Sequence, residues 1–367
     1  MTHLGKILVA YFPRPPIIAY LKEAFERKGI EAHGFYSDVN NWFDRYFIHY
    51  VNKTAHNLRI LPKSRILFRD HPLSHLHYRS RMLLGKVREV SPDAVLIIRG
   101  RRFSDTVLKE IGKTSVLMGW WIEGEERMEE AFRELDLFDH YFFMSSACVE
   151  EGQRRGFRNI SLLHHSVSTK AFHPVESEKK YDWCFVGGWS PGRMAYIERA
   201  FQVSRNGVIY GPKWLKKNFF NMMLHDIVKG RYIAGEDLVR LYNESRVVLN
   251  ITRWGPGGGK QRSGLTMRVL EVPACKACLL TDGSRDLEKV VTPGEHVVVY
   301  EGVDDFGKKL DLYIRSQADR EQIAMGGFKH VVANHTYDAM VDEIRSAYHG
   351  VLSSKAGREA PEQHVGK

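Results

Sequence analysis

The stretch DWCFVGGWSPGRMAYIERAFQVSRNGVIY, residues 182–210, decides the fold. It opens with a short apolar run, Asp182–Val186, that reads as a buried strand. Gly187 and Gly188 follow, where the backbone can approach a ligand closely. Ser190 then suits an N-cap and Pro191 the first helical position, so a helix is expected over Gly192–Ser204. Val208–Tyr210 is a second strand. A strand, a helix and a strand joined by short turns form the unit of a parallel sheet. The glycines do not make a dinucleotide fingerprint, because Trp189 takes the place of the second glycine.

The same alternation continues in both directions. Upstream, strands are expected at Lys6–Phe12, Ala32–Tyr36, Asp93–Ile98, Ser115–Trp121, His140–Met144 and Ser161–His164. Helices fall at Ile17–Arg27, Asp105–Ile111 and Ser146–Arg155. Downstream, Glu236–Ser245 is a helix, Val247–Ile251 a strand, Ser263–Val272 a helix, and Ala277–Thr281 and His296–Tyr300 strands. Helices follow at Asp304–Arg315, Asp319–Val332 and Tyr337–Tyr348. The alternation breaks only at the charged run Val175–Lys180. The reading is an α/β protein of two Rossmann-like domains with parallel sheets and a cleft between them. The first domain spans 1–174 and the second 181–336. A C-terminal helix over 337–350 packs back on the first domain, and 353–367 is a disordered tail.

A length of 367 residues fits two domains of about 150–180 residues each, and a hydrophobic share of 43% suffices for two cores. The expected strand at Lys6 leaves no room for a signal peptide, and no apolar run approaches the ~20 residues of a membrane span. Four cysteines do not form a disulfide framework, and Cys275 and Cys278 read as packing residues rather than zinc ligands. These features point to a cytoplasmic protein. The net charge of +10 asks for an anionic partner. Between Trp42 and Arg88 ten Lys/Arg face only Asp44 and Asp70, with five histidines and several aromatics interleaved. That block suits an anionic membrane surface at the inner face of the plasma membrane, a charged acceptor, or plain solvent.

Two segments carry candidate chemistry. WGPGGGK, Trp254–Lys260, fails as a phosphate loop, since Trp254 stands where glycine is required and Gln261 follows the lysine. It is a loop carrying Arg253, Lys260 and Arg262. The helix expected from Ser263 is more informative. With Ser263 as N-cap, Gly264, Arg268 and Glu271 share a face, Thr266 lies in the first turn, and free amides at the start suit phosphate. A carboxylate on that face can accept from both hydroxyls of a ribose. In the first domain Glu123, after the Trp120–Trp121 strand end, is a candidate base. His165 closes the last strand of that domain.

The segment Leu238–Asp282, with LYNESRVVLNI and SGLTMRVLEVPACKACLLTD, resembles the donor domain of CgeB-like glycosyltransferases of the GT-B class, relatives of the glycosyltransferase family 4 group. Val291–Ile314 and the stretch HTYDAMVDEI fit as well, and Phe138–Pro174 is similar to the segment that closes the acceptor domain in this class. The resemblance implies metal-independent transfer, with no cofactor, of a sugar from a nucleoside-diphosphate sugar to a glycan, lipid-linked or other cell-surface precursor acceptor. It implies that Glu271 holds the donor ribose. The earlier acid of the family 4 pair falls on Ser263, a departure from the pattern. Arg193 and Arg268 resemble diphosphate-binding positions. Gly188, Asn250, Arg253 and Lys260 complete the expected donor site, and His165 matches a frequent cleft position. An epimerase of the same architecture and a non-enzymatic nucleotide- or nucleic-acid-binding protein are the competing readings. The charge lies on no recognisable nucleic-acid motif, so nucleic acid is not the expected partner.

Overall fold

The computed structural model describes residues 3–11, 16–36, 41–62, 65–99, 103–253 and 262–359. The chain forms two compact units. The first comprises Met1–Met144, Cys148–Leu163 and Val341–Lys367, and the second Ser145–Ala147 with His164–Met340.

Six parallel strands build the first unit: β1 (Lys6–Tyr11), β2 (Glu31–Tyr36), β3 (Ala94–Ile98), β4 (Val116–Trp121), β5 (His140–Phe143) and β6 (Ile160–Leu162), in the order β2-β1-β3-β4-β5-β6. Every residue of β3 and β4 is buried, because helices cover both faces of a parallel sheet. This is why those strands appear as unbroken apolar runs in the sequence. The last helix, Tyr337–Glu359, is built into this unit beyond Met340. Lys28 Nζ meets Asp342 at 2.6 Å and Lys355 Nζ meets Asp139 at 2.7 Å, while Val341, Ile344 and Tyr348 are buried.

The second unit repeats the plan with β7 (Tyr181–Val186), β8 (Gly207–Tyr210), β9 (Val228–Gly230), β10 (Ser245–Asn250), β11 (Cys278–Asp282) and β12 (Val298–Tyr300). Their order is β12-β11-β10-β7-β8-β9, all parallel. The chain leaves β7 toward β8 on one side and later leaves β10 toward β11 on the other. The order therefore reverses between β7 and β10, and such a switch point opens a crevice at the carboxyl ends of the two strands.

Three sequence expectations are corrected. The helix expected over Ser263–Val272 runs instead over Arg268–Ala274, with Pro273 inside its last turn. Gly264 adopts φ +88°, outside the helical region, and its amide is taken by Asp286 Oδ2 at 2.9 Å. Arg285 N also donates to Arg262 O at 2.9 Å, so residues 262–266 run as irregular backbone beside the loop after β11. Leu265 is buried from that segment, as Val269 and Val272 are from the helix, and this spacing of buried residues is one that a continuous helix would also give. Second, the tail expected over 353–367 is helical as far as Glu359. Val351 is buried and Lys355 is ion-paired, which holds two further turns. Third, β6 ends at Leu162, so His164 and His165 lie past the strand rather than closing it. Within the basic block, a π-helical turn at Asp44–Ile48 leads into helices His49–Asn57 and His75–Val90.

Candidate functional site

Two arginines bridge the carboxyl ends of β7 and β10. Arg193 comes from the helix Pro191–Val203, whose start has Ser190 extended at the N-cap position and proline at N1. Its Nε donates to Ile251 O at 2.8 Å, just past β10, and Nη1 donates to Gly188 O at 2.6 Å, just past β7. Its guanidinium lies 5.2 Å from the Phe185 ring centroid. Arg268, the first residue of the Arg268–Ala274 helix, donates to Val186 O and, at 3.3 Å, to Asn250 Oδ1. The Asn250 amide in turn donates to Thr281 Oγ1 at 2.9 Å, and Tyr300 donates its hydroxyl to Asn250 O at 3.1 Å. Both guanidiniums are thus fixed to backbone or amide oxygens.

This arrangement gathers positive charge in a place with little water. Arg193 is 6% exposed. Burial, with Arg268 and Arg253 close by, pushes it down to about 10, against the opposing pull of Asp282. Asp282, at the end of β11, is held by Thr252 N at 3.0 Å and by the Thr252 hydroxyl. Burial still raises it above the usual carboxylate range. Glu271 lies one turn after Arg268. Burial lifts it to about 7, and the Arg268 charge opposes the rise. The acids are therefore reluctant to ionise, and the cations are not neutralised within the unit. A bound anion would offset the arginines' charge, at the expense of making the acids still harder to ionise.

Several polar atoms here have no internal partner. Trp189 Nε1, Ser190 Oγ, Thr266 Oγ1 and Arg268 Nε are buried and make no hydrogen bond among the described residues. They lie on the two loops that Arg193 and Arg268 tie to the strand ends. Buried donors are rarely left unmatched, and each unmatched one costs about 1–3 kcal/mol. In the same unit a cavity of about 790 Å³ opens past the ends of β11 and β12, lined by Ser284, Arg285, Glu288, Glu301, Asp305 and Lys309 among others. That volume is within the range of small-molecule sites.

The expected site residues are thus distributed as follows. Gly188, Arg193, Asn250, Thr266, Arg268 and Glu271 are brought together at the switch point. Arg253 is exposed just past β10, close enough for its charge to act on Arg193. Ser263 and Gly264 precede the helix rather than starting it, and the Ser263 hydroxyl accepts from Ala147 N at 3.1 Å. Lys260 lies outside the described residues. Glu123, after β4 in the first unit, pairs through one oxygen with Arg99 and through the other with Arg127 at 3.2 Å. His165 is held neutral by burial and by His164, its imidazole pushed down to about 4. Sequence reasoning missed Thr252, Asp282, Tyr300, Trp189 and the Ser190 hydroxyl. Their signal is position, since each stands at or just past the carboxyl end of a strand. Cys275 and Cys278 are buried free thiols raised to about 12 by that burial, as packing residues should be.

Comparison with known proteins bears on the fold and the sequence similarity of the chain. The glycosyl transferase-like family model matches residues 194–346. The spore protein CgeB of Bacillus subtilis is 23% identical over 282 residues, covering 74% of this chain and 87% of CgeB. Among solved structures, Anabaena HepE, crystallised with UDP and glucose, superposes with TM-score 0.60 at 10% identity, over 95% of this chain and all of that one. Sucrose-phosphate synthase from Thermosynechococcus elongatus superposes with TM-score 0.63 at 13% identity, over 95% and 100% of the two chains. Two six-stranded parallel sheets, with these neighbours, give the chain the GT-B fold. In sequence the chain is similar to CgeB.

Proposed function

We propose that this protein transfers a sugar from a nucleoside-diphosphate sugar to a glycan, lipid-linked or other cell-surface precursor acceptor. One observation carries the reading: the guanidiniums of buried Arg193 and half-buried Arg268 bridge the carboxyl ends of β7 and β10, and three further donors on the neighbouring segments, Trp189 Nε1, Ser190 Oγ and Thr266 Oγ1, are buried without a hydrogen bond. A diphosphate supplies both the charge and the acceptor oxygens that these groups lack. In this reading Arg193 and Arg268 carry the phosphate charge, and Thr266 and Ser190 donate to phosphate or sugar oxygens. Glu271 accepts from the ribose, and the transfer needs no metal. Arg253 and Lys260 stand at the approach, and Ser263 and Gly264 position the segment before the helix. Glu123 and His165 are the candidates on the acceptor side. His165, neutral at pH 7, has the form a general base requires. Glu123 must give up an arginine before it can take a proton. The protein is then cytoplasmic, where such donors occur. With a lipid-linked acceptor it works at the inner face of the plasma membrane.

The test is incubation with a panel of nucleoside-diphosphate sugars, followed by calorimetry with the one that binds. Slow release of free nucleoside diphosphate is expected. Glu271→Ala should weaken binding roughly tenfold or more, the value of a charge-assisted hydrogen bond. Interconversion of the sugars would identify an epimerase instead. Unchanged affinity of the Glu271 variant would refute the ribose assignment.

A further inference from the structure

Nine of the fourteen large apolar side chains exposed among the described residues fall between Trp42 and Met82. The ring contacts make part of this set contiguous. Trp42 packs edge-on to Phe43 with centroids 5.8 Å apart, Phe43 stacks on Phe47 at 4.9 Å, and Phe47 meets Phe68 at 5.8 Å. Yet Trp42 is 71% exposed, and Phe47 and Phe68 are each more than two-fifths exposed. Phe68 is held at φ +59°, a conformation that a bulky residue adopts only at a cost of about 1–3 kcal/mol. The fold thus maintains strain to keep an aromatic ring in solvent.

Cations surround this patch. Arg45 lies over the Tyr46 ring and Lys53 over the Tyr50 ring. Phe68 and Ile66 also line a cavity of about 800 Å³ whose wall includes His49, Lys53, His56 and Arg69 and two acids, Asp44 and Glu130, the latter ion-paired with Arg127. Of the two acids in the block, Asp44 is buried and paired with His75, which leaves only Asp70 facing out. A second copy of the chain would set this charge against itself. Nucleic acid would use the rings for stacking but not the exposed aliphatics Leu58, Ile60, Ile66 and Met82, which have no face to offer a base. Aromatic and aliphatic side chains ringed by Lys and Arg suit the boundary between headgroups and acyl chains.

We propose that residues 42–82 dock the protein on an anionic lipid bilayer. Trp42, Phe47 and Phe68 enter the headgroup boundary, and Lys53 and Arg69 receive lipid phosphates at the mouth of the cavity. This deepens the lipid-linked arm of the proposed function. Nucleotide-sugar binding measured without vesicles reports on the donor site alone, so the two readings fail separately. The experiment is flotation of the full chain with phosphatidylcholine vesicles, with and without phosphatidylglycerol. Flotation is expected only with phosphatidylglycerol and should weaken in high salt. Lys53→Ala and Arg69→Ala should each weaken it roughly fivefold. Trp42→Ser with Phe47→Ser should abolish it, with donor affinity retained. Hydrogen exchange of the unaltered protein should show protection by vesicles over residues 42–82, a readout independent of any variant's folding. Equal flotation with neutral vesicles, or none with either, would overturn the proposal. So would self-association without lipid that Trp42→Ser removes, or displacement of the protein from vesicles by RNA.

Discussion

The hydrogen bonds of Arg193 and Arg268 go to carbonyl and amide oxygens, neutral acceptors that leave a cost a bound anion can return. A buried arginine tied to two carbonyls loses several kcal/mol of hydration that neutral acceptors only partly replace. Replacing Arg268 by Met keeps the apolar stem and removes the charge. The variant should unfold at the same temperature or slightly higher in the absence of ligand, yet lose most of its nucleotide-sugar affinity. Calorimetric scans paired with titrations would show it. An equal loss of stability and affinity would mean that Arg268 is structural. Glu271 makes a second prediction, with a definite sign. Its folded value of about 7 lies above the usual carboxylate value, so the folded state holds the proton more tightly than the unfolded chain does. The stability this confers is complete below pH 4.5 and is lost as pH rises through 7, by at most about 3 kcal/mol. Donor binding runs the other way, because the ionised carboxylate is the better acceptor for a ribose diol. Affinity for UDP-glucose or its counterpart should therefore rise between pH 6 and 8. Glu271→Gln should flatten that profile and raise the unfolding temperature at pH 8. Glu271 could be singled out in the sequence because its type and spacing to Arg268 survive any shift of the helix start. Asp282 could not, since a carboxylate ending an apolar strand has no partner visible until Thr252 is folded against it.

At the scale of elements, the loops that present the site depend on one close approach. Gly211, after β8, lies against the backbone of Gly187, and a Cβ placed there would stand 2.0 Å from Gly187 O. That carbonyl also accepts from Trp214 Nε1 at 2.8 Å. Gly211→Ala must therefore push back the Gly187–Gly188 turn, and with it the carbonyl that holds Arg193. The expected result is a loss of about 1–3 kcal/mol of stability together with weaker donor binding. Both should be read by thermal unfolding and titration of the same sample. A variant destabilised by that amount but with full affinity would show that the turn does not set the position of Arg193. The strands and most helices were legible because covered parallel strands are apolar throughout and the helices between them are amphipathic. The Ser263 segment was not. Its polar and apolar residues alternate in a way that a helix and irregular backbone both satisfy, and the choice was made by Asp286, a residue distant in sequence that captures the Gly264 amide. Residues 42–90 were illegible for a different reason. Their helices carry apolar residues on exposed faces, so periodicity carries no sign of which side meets the core.

The whole chain does not divide into two units at a single point. It enters the second unit, builds β7 to β12, and returns through the helix Tyr337–Glu359, whose greater part belongs to the first. The first unit is therefore completed by residues from the opposite end of the sequence. Ile344 tests this arrangement. Its side chain is fully buried, and truncation to alanine removes a large aliphatic group from a packed interior at a cost of about 2–5 kcal/mol. The division into units assigns that loss to the first, although Ile344 lies beyond every strand of the second. Hydrogen exchange should show faster exchange in β1 to β6 of Ile344→Ala, with β7, β10 and β11 unchanged. Affinity for the nucleotide sugar, held at the switch point of the second sheet, should stay within about twofold, because well-separated sites contribute additively within roughly 0.5 kcal/mol. A ligand should correspondingly raise the unfolding temperature of the second unit alone, by an amount set by its concentration relative to Kd. If exchange instead quickened in both sheets together, the units would unfold as one cooperative body. The second unit would then depend on the first for its stability.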